Sequence, residues 1–400
     1  MNILIVSAMT PGSKTGVTAH YNRLIERLTD RGASVTLLTS DDAPWIVNKF
    51  LSGLGKLSKA LGRLNQTLGD HCWILFLEFS RFVSLWLAVR LRGRDRYDLV
   101  HAQDVNTGAA TALALRHRTP VIATCHFNDD PVTEYVTHFR VSSWLERQLR
   151  RWFLYLFRQH DAFITVSDYI RQTSAFLRPA GSDCAVISNG VDFPRTLPKQ
   201  PTDTLTIINV GTLEDRKNQR LLIEAAAKLR TGGFDAFRIG FMGDGPKRAD
   251  WQRLIDQNGL AGQVTLEGFR PDVPAYLNRA DLYVHTATNE SWGYAITEAI
   301  ASGTPVLALA TGGIPEQFGD GKPGLLPLDT SAGQLAAVIR SYADAGKRAR
   351  LAAEQHHYAR EQFSLDAMIH KHIRFYERVL ERRSVGRPVT ESPAKPVVNA

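Results

Sequence analysis

Four hundred residues, 44% hydrophobic and 22% charged, exceed one ordinary core, suit a soluble chain of two α/β domains and exclude a disordered chain. The net charge of +8 is uneven: residues 1–200 hold 24 Lys+Arg against 17 Asp+Glu, and residues 201–400 hold 24 against 23. Cys72, Cys125 and Cys184 lack metal-ligand spacing, and an odd count without a signal-like leader predicts a reducing cytoplasm.

Apolar runs alternate with helix-length amphipathic segments, the pattern of parallel α/β sheets. In the first half, strands are predicted at Asn2–Ser7, Ser34–Thr39, Leu99–His101, Val121–Thr124, Ala162–Val166 and Ala185–Ile187, with helices such as Val17–Asp30 and Ser142–Gln159. Pro11-Gly-Ser-Lys-Thr-Gly-Val17 joins the first strand to the first helix and lacks the spacing of a Walker loop, though it carries Lys14. Trp45–Arg96 carries nine basic and three acidic residues, the main source of the excess charge. Its first part sets Leu at helical spacing among Lys and Arg. Its second part, Trp73–Leu91, is apolar nearly all round, yet Glu78, Arg81 and Arg90 argue against a membrane-spanning helix. Two readings stand for this region: a helix buried in the first domain, or an interfacial membrane contact made by its first part. His101 and Asp104 end the third strand and fit a structural role as well as a site role. His126, Asn128, Asp129 and Asp130 end the fourth, and the acids are not spaced as an Asp-X-Asp metal motif.

Pro194, Pro198 and Pro201 break the pattern between Phe193 and Thr204. A second series follows: strands Leu205–Val210, Phe237–Met242, Val264–Leu266, Leu282–His285 and Val306–Ala308, with helices Asn218–Arg230, Lys247–Asn258 and Tyr294–Ser302. The loop after its first strand delivers Arg216 and Lys217, adjacent cations that suit an anionic ligand. Met242-Gly-Asp-Gly-Pro and Leu266-Glu-Gly-Phe-Arg-Pro lie at strand ends and supply Gly243, Gly245, Phe269 and Arg270. Asp281–Ala308 reads as strand, polar loop, helix, Gly-Thr-Pro turn and strand. Glu290 falls in that loop, at the carboxyl end of a strand where open α/β sheets bind ligands, and Glu298 follows in the helix. Gly293 permits close approach at the helix start. Gly312 and Gly313 follow the next strand and expose amides suited to an anion, and Glu316 either contacts the ligand or braces a helix. Leu365–Arg383 is an amphipathic helix, and the proline-bearing tail from Ser384 is expected to be disordered.

Glu290 and Glu298, with seven residues between them and this flanking order, resemble the donor-site signature of family 4 glycosyltransferases. The resemblance covers about Met1–Arg383 and is more specific in the second half. It implies an α/β GT-B fold, two Rossmann-like domains with parallel sheets facing a central cleft. The implied division is 1–195 on the acceptor side, 205–364 for the nucleotide sugar, 365–383 as a helix packing back on the first domain, and 384–400 as tail. It further implies that Glu290 contacts sugar hydroxyls, Glu298 the ribose and His126 the donor sugar. Gly16 then lies against the donor phosphates. Gly312 and Gly313 face the nucleotide sugar, with Gly243, Phe269 and Arg270 around the nucleotide. Arg216 and Lys217 adjoin where the family spaces its cations more widely. Lys14, Asn128, Asp129 and Asp130 are acceptor-side candidates.

The expected reaction is retaining transfer of a hexosyl unit from a nucleotide-diphospho-sugar, UDP favoured over GDP, to a glycan or lipid-linked acceptor in cell-envelope or exopolysaccharide synthesis. The nucleotide sugar is a co-substrate, with no cofactor and no essential metal. The basic first half predicts an anionic or lipid-linked acceptor, or a peripheral berth on the inner face of the plasma membrane. A nucleotide-sugar 2-epimerase of the same shape is the alternative. A basic nucleic-acid binder is more remote, because no nucleic-acid module accompanies the charge.

Overall fold

The computed structural model describes residues 1–13, 15–92, 96–194 and 203–385. Lys14, the linker residues 195–202 and tail residues 386–400 lie outside them, so the acceptor role expected of Lys14 and the disorder expected of the tail have no structural counterpart here.

The first half runs β1 (Asn2–Ser7), α1 (Gly16–Asp30), β2 (Ser34–Thr39), α2 (Trp45–Leu64), α3 (Gln66–Arg92), β3 (Leu99–Ala102), α4 (Val105–Ala114), β4 (Val121–Cys125), α5 (Pro131–His138), α6 (Ser143–Phe157), β5 (Ala162–Thr165), α7 (Asp168–Thr173) and β6 (Asp183–Val186). The second runs β7 (Leu205–Val210), α8 (Gln219–Thr231), β8 (Phe237–Met242), α9 (Arg248–Gln257), β9 (Val264–Gly268), α10 (Val273–Arg279), β10 (Leu282–His285), α11 (Tyr294–Ala301), β11 (Val306–Leu309), β12 (Leu325–Leu326), α12 (Ala332–Ser341), α13 (Ala345–Phe363) and α14 (Leu365–Val385). The predicted strands are all present, with ends shifted by two residues at most. β12 was not foreseen: two leucines among turn residues have no period to read.

Two six-stranded parallel sheets result, ordered β2-β1-β3-β4-β5-β6 and β12-β11-β10-β7-β8-β9. Parallel strands need covered crossovers, so both faces are buried and the strands read as continuous apolar runs. Ile3, Leu4, Ile5 and Val6 of β1 are fully buried. In the second sheet the chain winds outward from β7 through β8 to β9, then returns to the other side of β7 as β10. The crevice for a ligand therefore opens at the carboxyl ends of β7 and β10.

The two halves are joined by more than the linker. α14 packs Leu365, Met368, Ile369 and Tyr376 into the core that holds Ile3, Ile5, Ile122 and Ile164 of the first sheet. The hydroxyl of Tyr376 meets His101 Nδ1 at 2.7 Å, and His101 Nε2 meets Thr124 at 2.6 Å, so His101 is structural. Asp104 is structural too, capping α4 through the Thr107 amide at 2.8 Å.

Residues 45–92 form a helical hairpin rather than a single buried helix. Asn65 ends α2 and accepts the Leu68 amide at 3.0 Å, which opens α3. The helices approach closely because Gly62 and Gly69 face one another: a Cβ on Gly69 would lie 2.2 Å from the Gly62 Cα. α3 buries Ile74, Leu85, Ala88 and Val89. Its buried Glu78 accepts bonds from Asn106 (2.8 Å), Tyr135 (2.7 Å) and Trp152 (2.9 Å), which offsets the cost of burying a carboxylate. The buried-helix expectation thus holds for the inner face of α3.

Candidate active site

The loop after β7 and the loop after β10 are stitched together at the crevice. The Thr288 amide donates to Arg216 O at 2.9 Å, and the Thr286 hydroxyl to Lys217 O at 3.0 Å. Both cations thereby reach Glu290, 74 residues from Arg216 and 73 from Lys217. Lys217 Nζ donates to Glu290 Oε2, and Arg216 Nη1 approaches the same oxygen at 3.3 Å. Arg216 is fixed further by Asn289 O at 2.9 Å and Glu214 at 2.7 Å. His285, at the end of β10, places Nε2 at 3.7 Å from Glu290, while its Nδ1 meets the Tyr283 hydroxyl at 3.0 Å. Burial by itself raises the Glu290 carboxyl, but Lys217, His285 and Arg216 outweigh it and hold it well below the usual carboxylate range. The result is one guanidinium and one ammonium group held by one buried carboxylate that is ionised at physiological pH.

The glycine pair acts differently from expectation. Gly313 donates its amide to Glu290 O at 3.0 Å, so that N–H is not available to an anion; of the pair, Gly312 is the one left. Gly312 sits at φ +52, and a Cβ there would lie 2.0 Å from Glu290 O. A Cβ on Gly313 would lie 2.0 Å from Ser291 O and 2.8 Å from Ser167 Cβ in the other half. The pair is a spacer that lets three loops converge. Gly313→Ala, whose φ of −84 suits any residue, is expected to cost about 1–3 kcal/mol by overpacking alone. A thermal midpoint unchanged from wild type would contradict that contact.

Two helix N-termini converge on the same crevice. Gly16 begins α1, capped by Thr15, and a Cβ on it would meet the Tyr294 ring at 3.8 Å. Gly293, at φ +80, begins α11. Amides and dipoles at such ends favour a diphosphate. Glu298 of α11 pairs with Arg23 of α1 at 3.0 Å, and Arg23 also lies over the Tyr294 ring at 4.9 Å. Here Glu298 bridges the halves. Arg23 carried no sequence signal, being one polar residue on an amphipathic helix. Glu316 accepts the Asp168 and Tyr169 amides at 2.7 and 2.8 Å, so it braces the N-terminus of α7 from across the cleft.

His126 is partly buried at the end of β4. Burial pushes its pKa down to about 4, with His372 a second cause, so it is neutral at physiological pH. Its Nε2 meets Gln103 Oε1, an acceptor, at 3.2 Å, which puts the proton on Nε2. Asn128 Oδ1 accepts the Ser291 amide at 3.3 Å and so ties the loop after β4 to the Glu290 loop. Asp130 departs from its expected acceptor role. It is buried, and its carboxylate caps α5 through the amides of Val132 and Thr133 at 3.0 and 3.1 Å. Asp129 accepts the Asp130 amide at 2.8 Å. At the nucleotide end, Gly243 lies so near Gly211 that a Cβ would sit 2.0 Å from its oxygen, and Gly245 is equally pressed against Leu213. Phe269 is exposed, and Arg270 pairs with Glu267 at 2.8 Å. Among the described residues, no group of three His, Cys, Asp or Glu side chains is placed to hold a metal.

A cleft of about 400 Å³ adjoins this cluster, walled by Leu77 and Arg81 of α3, Asn128, Tyr135 of α5, Glu214 and Arg216. It joins the cations of the second half to the basic hairpin of the first.

Comparison with known proteins identifies the family and the fold. The profile described as Glycosyltransferase Family 4 matches residues 14–195, and that of Glycosyl transferases group 1 matches residues 195–362. The chain belongs to the family 4 glycosyltransferases. It is 28% identical over 382 residues to a glycogen synthase of Mycobacterium tuberculosis, covering 89% of this chain and 90% of that protein. It is 27% identical over 365 residues to the phosphatidyl-myo-inositol mannosyltransferase of Mycolicibacterium smegmatis, covering 86% of each. Among solved structures, Anabaena HepE in complex with UDP and glucose superposes with a TM-score of 0.68 at 21% identity, covering 94% of this chain and 100% of that one. The fold of this family 4 chain is GT-B.

Proposed function

We propose that the chain transfers a hexosyl unit, with retention of configuration, from a nucleotide-diphospho-sugar to a glycan or lipid-linked acceptor of the cell envelope. UDP is the favoured nucleotide. The observation that carries this reading is the convergence of Lys217 and Arg216 on Glu290 at the topological switch point, between two helix N-termini. The HepE structure with UDP and glucose supports the choice of donor class.

In this reading the bond from the anomeric carbon to the β-phosphate oxygen breaks while the acceptor oxygen bonds to the same carbon from the same face. Lys217, Arg216 and the α1 and α11 N-termini stabilise the charge growing on the departing diphosphate. The hydroxyl proton of the acceptor passes to a leaving phosphate oxygen, so no side-chain base is required. Glu290 and neutral His126 orient the sugar hydroxyls, and the acceptor enters by the cleft at Arg81 and Tyr135.

A thermal-shift series with UDP, GDP and ADP tests the donor. Saturation at a hundred times Kd stabilises by about 2.7 kcal/mol, so UDP is expected to give the largest rise. No rise with any of the three overturns the reading. Incubation with UDP-hexose alone separates the alternative: conversion of the sugar without acceptor would mark an epimerase.

A further inference from the structure

The hairpin of α2 and α3 has an outer surface that the fold leaves uncovered. On α2, Ile46, Phe50, Leu57 and Leu64 are 62%, 64%, 57% and 86% exposed. Their spacing, filled in by Gly53 and Ala60, is that of one helical stripe, and it lies opposite the stripe of Leu51, Gly55 and Ser58 that is buried against α3. On α3, Leu68, Leu75, Phe79 and Trp86 are likewise exposed at intervals of seven, four and seven. Trp144 stands exposed after the hairpin's neighbouring loop, which Asp70 and His71 hold through the amides of Arg140 and Ser142.

Solvent-exposed stripes of this length are unusual on a monomer unless something covers them. The charge says what does. Between Ala43 and Gly69 there is no Asp or Glu, whereas Lys49, Lys56, Lys59 and Arg63 are all exposed. At 100° per residue, Lys49, Lys56 and Arg63 recur every seven positions along one flank of the apolar stripe of α2. An apolar stripe bordered by cations and free of anions fits a surface that is apolar inside and anionic at its edge.

We propose that this hairpin docks the protein on an anionic phospholipid bilayer. α2 lies in the headgroup region with Ile46, Phe50, Leu57 and Leu64 toward the acyl chains and the lysines at lipid phosphates. The hairpin lies on the bilayer and does not cross it. α3 is long and apolar enough to span, but its inner face packs on the sheet and its Glu78 is engaged by Asn106, Tyr135 and Trp152. The same helix contributes Leu77 and Arg81 to the cleft, so docking brings the mouth of that cleft to the lipid surface.

Co-sedimentation of the full chain with vesicles, in the absence of donor, tests this independently of the reaction. Binding to phosphatidylcholine vesicles containing phosphatidylglycerol is expected to exceed binding to phosphatidylcholine alone by about tenfold or more at low salt, and to weaken in high salt. The exposed substitutions Phe50→Ser with Leu57→Ser are expected to lower partitioning by about tenfold or more with the thermal midpoint and the nucleotide shift unchanged. Lys49→Glu with Lys56→Glu is expected to abolish the preference for phosphatidylglycerol. Three results would overturn the proposal: no sedimentation with anionic vesicles, unchanged sedimentation of the Phe50/Leu57 variant, or a dimer in solution that this variant dissociates, since a second copy would then cover the stripe.

Discussion

Lys217→Ala is expected to lower kcat by about 10²–10³ while the protein remains folded, as for loss of one preorganised group facing transition-state charge. The structure gives the reason. Lys217 is held by Glu290 and lined up on its stem beside Gly211 before any ligand arrives, so its charge requires no reorganisation during the reaction. Arg216 approaches the same carboxylate and supplies a remaining cation, which is why a residual rate is expected instead of none. The lone Glu290 left behind keeps Arg216 and His285 as neighbours, so the variant does not strand an unpaired buried charge. Glu290→Gln is expected to differ in kind: the amide keeps the shape but releases both cations, so donor affinity and kcat fall together. Steady-state kinetics of the two variants beside their thermal midpoints distinguish these cases, and full activity in both would defeat the assignment. In the proposed mechanism side chains carry the leaving charge, so EDTA is expected to leave wild-type turnover unchanged, and loss of turnover with EDTA would contradict that mechanism.

A steep loss of stability on mild acidification is the second large effect. His126, His20, His372 and His101 form a chain of rings with successive centroid separations of 5.1, 5.7 and 5.6 Å. Burial lowers all four, and it brings His126, His372 and the separate His160 down to about 4. An unfolded histidine titrates near about 6.5. The stability from keeping these rings neutral is therefore complete above about pH 6.5 and is lost as the pH falls toward 4, because the unfolded chain then binds protons that the folded chain refuses. Each such group contributes up to about 1.4 kcal/mol per pH unit within that window, against a total stability of about 5–15 kcal/mol. Thermal midpoints between neutral pH and pH 4 measure it. His372→Gln is expected to flatten the limb by about one proton, and a midpoint that does not change between pH 7 and pH 5 would contradict neutral burial.

Much of the molecule was readable from the chain itself. Strand positions follow from runs such as Ile3–Val6, because burial on both faces of a parallel sheet demands continuous apolar residues. The strand, loop and helix order from Asp281 to Ala308 placed Glu290 at a strand's carboxyl end, and the loop after β7 placed Arg216 and Lys217. These are local facts, set by periodicity over a few residues. What tertiary structure alone decided is which of them meet. Lys217 reaches Glu290 because β10 inserts beside β7, an ordering of strands that no local period encodes. The same holds for Arg23 on Glu298, Glu316 on α7 and the four-histidine chain completed by α14, each joining residues far apart in sequence. In residues 45–92 likewise, only the packing of α3 on the sheet decided which faces are covered and left the outer stripe of α2 exposed, because which side of an amphipathic helix is buried depends on what packs against it.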